Sequence, residues 1–212
     1  MKISTQYGIC HERGRLLENW SGKVVIVTGA ASGIGKGIAQ LFIEKGANVI
    51  IADVQQLNDL GSGNKINSKV VDITNDKHVK KLIDETFQTF GTIHVIINSA
   101  GLQYVSAIED FPNEMFEKLW KVMCYGPFLT LKYAFPIMKQ KRFGRIINIA
   151  SINGIVGFAG KSAYNSAKHA VVGLTKVAAL EGAPYGITVN ALCGGAVVRP
   201  LVNAHLVVWR LI

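Results

Sequence analysis

Short runs of β-branched and apolar residues alternate with longer helical stretches from Lys23 onward, and this alternation constrains the fold more than any other feature. The runs are apolar at consecutive positions, so both faces of each strand are expected to be buried in a parallel sheet. The predicted strands are residues 23–28, 48–53, 69–72, 94–98, 145–150 and 188–192. The predicted helices are residues 33–45, 76–90, 112–139 and 162–181. This order predicts an α/β fold with a doubly wound parallel sheet.

The domain organisation follows from length and composition. The 212 residues can bury one sizeable core, and no linker, repeat or low-complexity stretch divides them. Residues 1–20 mix both signs of charge without an apolar segment, which predicts an N-terminal extension, not a secretion signal. Residues 21–212 are expected to form one domain. No apolar run reaches the roughly 20 residues that a bilayer requires, so we expect no membrane partner and a cytoplasmic protein.

Charge and side-chain chemistry argue against two other kinds of site. A net charge of +9 would suit nucleic acid, but the basic residues are dispersed and their densest run, residues 139–145, predicts a solvated loop. We therefore expect no nucleic-acid partner, and we expect the positive charge to favour an anionic cofactor or substrate. The 3 cysteines form no Cys-x-x-Cys pair and the 5 histidines no His-Glu-x-x-His motif, so we expect no metal site.

A glycine-rich turn, TGAASGIG, follows the first predicted strand and opens the first predicted helix. Glycines permit a tight turn and let the backbone approach a pyrophosphate, which binds to the free N–H groups of the helix. This pattern predicts a dinucleotide site. The expected contacts in the turn are Gly29, Ser32, Gly33, Ile34 and Gly35.

Polar and small residues end the later strands at the same edge of the predicted sheet. Asp53 ends the second strand, where a carboxylate can accept hydrogen bonds from the adenosine ribose and repel a 2′-phosphate, so NAD is favoured over NADP. Lys36, a cation beside the turn, could instead bind a 2′-phosphate and so favour NADP. Asp53 could also be only a cap or turn residue. The other expected cofactor contacts at this edge are Asp72, Asn98, Ala100 and Gly101. Asp72 could likewise serve only as a turn residue.

Tyr164 and Lys168 are four residues apart in a predicted helix, so their side chains share one face. A free tyrosine has a pKa of about 10, and a neighbouring ammonium lowers the pKa of a phenol toward the range of a useful base. Ser151 follows the fifth predicted strand, where its hydroxyl could reach the same pocket. These three residues are the candidate catalytic group.

Taken together, these motifs resemble those of the short-chain dehydrogenases/reductases. The resemblance runs from about residue 21 to 202 and rests on TGAASGIG, the NSAG segment, Ser151 and YNSAK, in the family's order. It implies a Rossmann fold in which Tyr164 is the general acid/base and also contacts the cofactor and the substrate. Lys168 is implied to bind the nicotinamide ribose and lower the pKa of the tyrosine, and Ser151 to bind the substrate oxygen. The implied reaction transfers a hydride between a nicotinamide cofactor and a secondary alcohol or ketone.

Within the family, three segments resemble the soluble 3-hydroxybutyrate dehydrogenases: residues 100–116, 144–151 and 161–181. The resemblance implies a small hydroxy acid substrate whose carboxylate binds Gln103 and Lys161, although Lys161 could instead be an exposed loop lysine. Asn153 and His205 stand where those enzymes have a histidine and a glutamine. Reduction of 3-oxoacyl thioesters would use the same catalytic residues and remains an alternative.

The chain also departs from the family it resembles. Met123 occupies the position of an asparagine that holds a relay water, and a thioether is a weak acceptor that donates no hydrogen bond. Gly194 and Arg199 stand where a proline and a carboxamide-binding threonine are expected. The chain ends at Ile212, before the C-terminal elements that the resemblance implies, so residues 188–192 would form an apolar edge strand unless residues 206–209 cover it.

Three outcomes follow from these departures: an active NAD-dependent dehydrogenase, one of reduced activity, or a catalytically inert protein that binds nucleotide or associates with related chains. We expect a homo-oligomer if the fold is complete.

Overall fold

The computed structural model describes residues 20–56 and 66–195. Their six strands form one parallel sheet of order β3-β2-β1-β4-β5-β6. The strands are β1 (Val24–Thr28), β2 (Asn48–Asp53), β3 (Ile66–Val70), β4 (Val95–Asn98), β5 (Gly144–Ile149) and β6 (Ile187–Leu192). The strand order reverses between β1 and β4, which opens a crevice beyond their carboxyl ends where ligands bind in sheets of this kind. The predicted doubly wound α/β fold is confirmed.

Five α-helices of the described residues connect the strands. They are α1 (Gly33–Glu44), α2 (Asp76–Phe90), α3 (Asn113–Trp120), α4 (Gly126–Lys141) and α5 (Ser162–Gly182). Short 3-10 turns cover Ile152–Gly154 and Ala183–Tyr185. No helix in the described part of the chain has the length and apolar character needed to cross a membrane.

Two predicted elements differ from the structure. The third strand covers Ile66–Val70, not residues 69–72, because the apolar pair Val70 and Val71 marked its end and not its centre. The single helix expected over residues 112–139 is interrupted by a π-helical turn at Lys121–Tyr125. A π turn adds one residue to a helical turn, and side-chain periodicity does not indicate where that extra residue falls.

The core lies on both faces of the sheet, and alternate strand residues enter opposite layers. Val24 and Ile26 of β1 pack in the layer formed with α2, α4 and α5. Val25 and Val27 pack with α1 on the other face. Trp20, the first described residue, also belongs to the layer with α1 and is only 3% exposed. Its ring meets Phe42 edge to face at 5.0 Å. Residues 1–19 of the expected extension lie outside the described residues.

The outer strand β6 pairs with β5 from Gly144↔Ile187 to Ile149↔Leu192. Within the described residues, β6 is therefore an edge of the sheet. Residues 206–209, considered above as a cover for this edge, lie outside the described residues.

Candidate active site

The turn after β1 approaches the segment after β4 so closely that one position accepts only glycine. Gly29 has a φ of 66°, and a Cβ there would lie 2.6 Å from the backbone nitrogen of Ala100. Gly35 is buried in α1, where a Cβ would lie 2.9 Å from the carbonyl carbon of Gly29. Gly33 also has a positive φ, of 58°. The backbone therefore forms the tight turn that a pyrophosphate needs for close approach.

The first turn of α1 presents N–H groups that no side chain of the cap occupies. Ser32 is the N-cap residue, yet its side chain makes no capping hydrogen bond, and the first turn carries no acidic residue. The positive end of the helix and its free N–H groups favour an anion. The glycine turn and these N–H groups therefore form a cradle that suits a pyrophosphate, and the five contacts expected in the turn stay predictions.

Asp53 links the end of β2 to this glycine turn. Its Oδ2 accepts a hydrogen bond of 2.9 Å from the backbone N–H of Ala31, and its Oδ1 accepts one of 3.0 Å from Gln55. These bonds hold the carboxylate beside the turn. The contact of Asp53 with the adenosine ribose stays a prediction, and the alternative of a turn residue describes the observed hydrogen bonds.

Asp72 acts as a turn residue, the alternative role that its sequence position allows. Its Oδ1 accepts hydrogen bonds from the backbone N–H of Thr74 at 2.8 Å and from the Thr74 hydroxyl at 2.7 Å. One carboxylate oxygen is therefore used to close the turn between β3 and α2. Any contact of Asp72 with a cofactor would fall to its other oxygen or its backbone.

The side chain of Asn98 belongs to a buried polar network and not to an open pocket. Its amide donates to Asn148 Oδ1 at 2.8 Å, and its Oδ1 accepts from the Thr130 hydroxyl at 3.0 Å. Asn148 in turn donates to Thr175 at 2.9 Å. The network joins β4, β5, α4 and α5, and it leaves only the backbone of Asn98 for a ligand. Sequence reasoning missed the other three members, although an asparagine inside the apolar run RIINIA was a signal.

Tyr164 and Lys168 lie together on α5, as predicted. The Lys168 Nζ is 5.5 Å from the centre of the Tyr164 ring. The same ammonium donates a hydrogen bond of 2.6 Å to the carbonyl oxygen of Ile149 at the end of β5. Ser151 follows two residues later, so this bond ties the helix that carries the phenol to the strand end that carries the hydroxyl.

A second connection runs from Ser151 to α5 through two amides. The Ser151 hydroxyl is 3.3 Å from Asn153 Oδ1, and the Asn153 amide donates to Asn165 Oδ1 at 3.1 Å. Asn165 is the neighbour of Tyr164. The three candidate catalytic residues are therefore brought to one place by direct hydrogen bonds between their segments.

Burial dominates the electrostatics of Lys168, which is only 5% exposed. Desolvation lowers the pKa of its ammonium from 10.5 to about 8, while Cys193, after β6, acts in the opposite direction. Each pKa unit corresponds to about 1.4 kcal/mol. Keeping this ammonium charged at pH 7 therefore costs the folded chain about 3 kcal/mol.

We expect Lys168→Met to raise the free energy of unfolding at pH 7 by about 1–3 kcal/mol while removing activity. The lower end of the range allows for the Ile149 carbonyl, which loses its donor. The pKa of Lys168 is lower in the folded chain than in the unfolded chain, so the penalty is complete below pH 8 and vanishes above 10.5. The gain should shrink as pH rises through this window, which urea unfolding at pH 7 and pH 10 measures.

The exposed Lys176 lies on the same helix and supplies the matched control. Lys176→Met should change stability by less than about 0.5 kcal/mol at both pH values. Two results would contradict a free-energy cost of burying the Lys168 ammonium. One is a Lys168→Met variant less stable than the parent at pH 7, and the other is a gain in the free energy of unfolding that does not depend on pH.

Comparison with known proteins agrees with this geometry. The family model described as short chain dehydrogenase matches residues 23–206. The chain belongs to the short-chain dehydrogenase family. The earlier assignment from the glycine turn and the YNSAK motif is confirmed.

Individual relatives of this short-chain dehydrogenase carry different names. An uncharacterized oxidoreductase, YxjF, of Bacillus subtilis is 50% identical over 87% of this chain and 74% of its own. A D-beta-hydroxybutyrate dehydrogenase of Cupriavidus necator is 41% identical over 88% of this chain and 75% of its own. The solved structure of a short-chain dehydrogenase from Streptomyces avermitilis has a TM-score of 0.82 at 31% identity, over 85% of this chain and 68% of that chain. The family is therefore certain, and the substrate is not fixed by these names.

Gln103 and Lys161, the expected carboxylate ligands, lie on two loops that are joined to each other. The backbone N–H of Ser106 donates to the Gly160 carbonyl at 3.0 Å, which holds the Gln103 loop beside the start of α5. Gln103 is exposed and Lys161 is half-buried, with its Nζ 5.6 Å from the ring centre of Phe158. Within residues 20–56 and 66–195 neither side chain forms a hydrogen bond or ion pair, so both are free to bind a ligand.

Met123 lies in the π turn, where it is 1% exposed. It belongs to a cluster with Leu119, Ala163 and Ala167, and Tyr164 packs against the same cluster. A Cβ on Gly101 would lie 3.8 Å from the Met123 sulfur. The thioether therefore fills the space between the NSAG segment and the phenol, where the resemblance places a relay asparagine.

The segment after β6 contacts the turn that carries Ser151. The Gly194 carbonyl, where the resemblance implies a proline, accepts a 2.8 Å hydrogen bond from the Ile152 N–H. Arg199 and His205 lie outside the described residues. No group of three potential metal ligands occurs in the part of the chain that the structure describes.

Proposed function

We propose that this short-chain dehydrogenase uses NAD to oxidise a small 3-hydroxy acid such as 3-hydroxybutyrate. The observation that carries the proposal is the position of Lys161, three residues before Tyr164 at the start of α5, with no ion pair among the described residues. A substrate carboxylate bound to this ammonium would present its 3-hydroxyl toward the phenol. Gln103 lies on the loop joined to Gly160 and would share that carboxylate.

Two kinds of relative support the choice of chemistry. D-beta-hydroxybutyrate dehydrogenases from Cupriavidus necator and Rhizobium meliloti are 41% and 38% identical to this chain. A xylitol dehydrogenase solved with bound NAD⁺ has a TM-score of 0.78 and is 32% identical. The Asp53 carboxylate beside the glycine turn favours NAD over NADP, because a 2′-phosphate would meet a negative charge there.

In the proposed reaction the chain's residues position the substrate and move one proton. When bound in the glycine-turn cradle, NAD⁺ would supply the acceptor for the hydride from the carbon that carries the hydroxyl group. Tyr164 accepts the hydroxyl proton, Ser151 donates a hydrogen bond to the same oxygen, and the Lys168 ammonium stabilises the negative charge on the phenolate. The products are the 3-oxo acid, NADH and a proton. Lys161 and Gln103 fix the distance between carboxylate and phenol, which favours free acids over esters.

The packing of Met123 supports a slower enzyme. Its side chain fills the volume beside Tyr164 with carbon and sulfur. No hydrogen-bonding group on that side can therefore hold a water molecule that carries protons between the phenol and solvent. An inert nucleotide-binding protein is the second candidate, and the same contact favours it.

A panel of substrates and cofactors tests the proposal. We expect measurable NAD⁺ reduction with 3-hydroxybutyrate and at least tenfold slower reduction with its methyl ester. With 3-hydroxybutyrate as substrate, reduction of NADP⁺ should be slower still. Reverse assays should show oxidation of NADH by acetoacetate and little by an acetoacetyl thioester. NADH fluorescence titration measures nucleotide binding separately from turnover.

Lys161→Met and Lys176→Met form a matched pair for this panel. The first should raise the KM for 3-hydroxybutyrate at least tenfold and leave that for the ester unchanged, since only the acid carries the carboxylate. The second, at an exposed position of α5, should change neither. Equal turnover of acid and ester would contradict the proposed contact between Lys161 and the substrate carboxylate. Nucleotide binding without any turnover would favour the inert protein.

A further inference from the structure

The amide of Asn165 has only one orientation that satisfies its neighbours. Its nitrogen faces two carbonyl oxygens, that of Val156 at 2.7 Å and that of Asn153 at 3.2 Å. Carbonyl oxygens only accept hydrogen bonds, so the atom that faces them must be the NH₂ group. The Asn165 Oδ1 then points to the other side and requires a donor.

That donor is the side chain of Asn153, which is 5% exposed and therefore has little access to water. Its NH₂ group donates to Asn165 Oδ1 at 3.1 Å. Its own Oδ1 is consequently turned toward Ser151, whose Oγ is 3.3 Å away. Because Oδ1 can only accept, the Ser151 hydroxyl must donate. The backbone N–H of Asn153 donates to the same Oγ at 3.2 Å and fixes its position.

We propose that Asn165 and Asn153 are positioning residues that set the direction of the Ser151 hydroxyl. This inference rests on the proposed function, in which Ser151 donates its proton to the substrate oxygen. In the free chain the proton is held by Asn153 Oδ1 across a long bond. The substrate oxygen must replace that acceptor, so the strength of the Asn153 acceptor controls how readily Ser151 engages the substrate.

The substitution Asn153→Asp tests this polarity because its effect depends on protonation. A protonated carboxyl reproduces the asparagine, with an oxygen toward Ser151 and a donor toward Asn165. An ionised carboxyl has no donor for Asn165 and retains the Ser151 proton more strongly. We expect the turnover of the variant relative to the parent to be about 10–100-fold lower at pH 8 and to recover as the pH falls toward 5.

Dividing the turnover of the variant by that of the parent at each pH cancels the effect of other groups that titrate in both proteins. The ionisable residues at the start of α5 and in the segment after β6 are the same in both proteins: Lys161, Tyr164, Lys168, His169 and Cys193. Asn113→Asp adds the same charge at an exposed position of α3, and its ratio should be independent of pH. If the amides had the opposite polarity, the ionised carboxyl would accept a hydrogen bond from the Asn165 NH₂ group, and the ratio would be independent of pH for Asn153→Asp as well.

A second measurement needs no turnover and separates this inference from the proposed function. In a double-mutant cycle of Ser151→Ala and Asn153→Asp, thermal unfolding at pH 8 should show that the carboxylate is tolerated better when the hydroxyl is present. Additive effects on the unfolding temperature would overturn the inference, whether or not 3-hydroxybutyrate is a substrate. Coupling combined with a pH-independent turnover ratio in an active parent would overturn the positioning role.

Discussion

Replacing Tyr164 with phenylalanine is expected to lower turnover by about 10²–10⁴-fold and to leave NADH binding within about twofold. The substitution removes only the hydroxyl, which is the atom that exchanges a proton with the substrate in the proposed reaction. The ring remains packed against the cluster of Leu119, Met123, Ala163 and Ala167. Steady-state rates and NADH fluorescence titration on the same preparation measure both quantities.

Tyr185 provides the matched control for this substitution. Its ring also lies near a lysine, with Lys139 Nζ 4.8 Å from the ring centre, but it lies in the turn before β6. Tyr185→Phe should therefore leave turnover within about twofold. Retained turnover in Tyr164→Phe would remove the phenol from the reaction, and loss of NADH binding would assign it to the cofactor site instead.

The substitution Met123→Asn is expected to act in opposite directions on activity and stability. An amide beside Tyr164 can hold a water molecule for proton exchange, so turnover should rise by up to about 10²-fold. The same amide replaces a buried thioether in an apolar cluster, so the free energy of unfolding should fall by about 1–3 kcal/mol. Rates and urea unfolding test the two effects separately.

Met115 packs against the same cluster from α3 and serves as the control. Met115→Asn should also lower stability, and it should bring no gain in turnover because the new amide is placed elsewhere in the cluster. A Met123→Asn variant that is less stable and no faster would show that the thioether does not limit proton exchange. Equal gains from both substitutions would point to a looser cluster and not to a polar contact.

Patterns that depend on consecutive residues predicted most of the fold. Five of the six strands follow from apolar runs, whereas β3 (INSKV) lies mostly before the run that predicted it. The glycine turn follows from Gly29, whose φ and contact with Ala100 exclude a larger side chain. The pairing of Tyr164 with Lys168 follows from helical spacing. These features are local in the chain, and that is why the sequence shows them.

Features that depend on side-chain direction could not be predicted in the same way. Asn98 was expected at the cofactor because it ends a strand, but it is paired in register with Asn148 and both amides are buried between sheet and helices. The orientation of Asn153 depends on two carbonyl oxygens that become neighbours of Asn165 only after the turn has folded. The spacing of residues along the chain indicates neither the pairing of Asn98 with Asn148 nor the orientation of the Asn153 amide.

The π turn at Lys121–Tyr125 has a consequence for how this segment can vary. A π turn holds one residue more than an α-helical turn, so deleting one residue there would give regular α-helix and leave the faces of the flanking helices in nearly the same relative orientation. Inserting a further residue would instead rotate the residues before the turn by about 100° relative to those after it. Leu119 on one side and Leu129 on the other are both fully buried, in different clusters, so the insertion would expose one of them. We therefore expect this segment to tolerate the loss of one residue better than the gain of one.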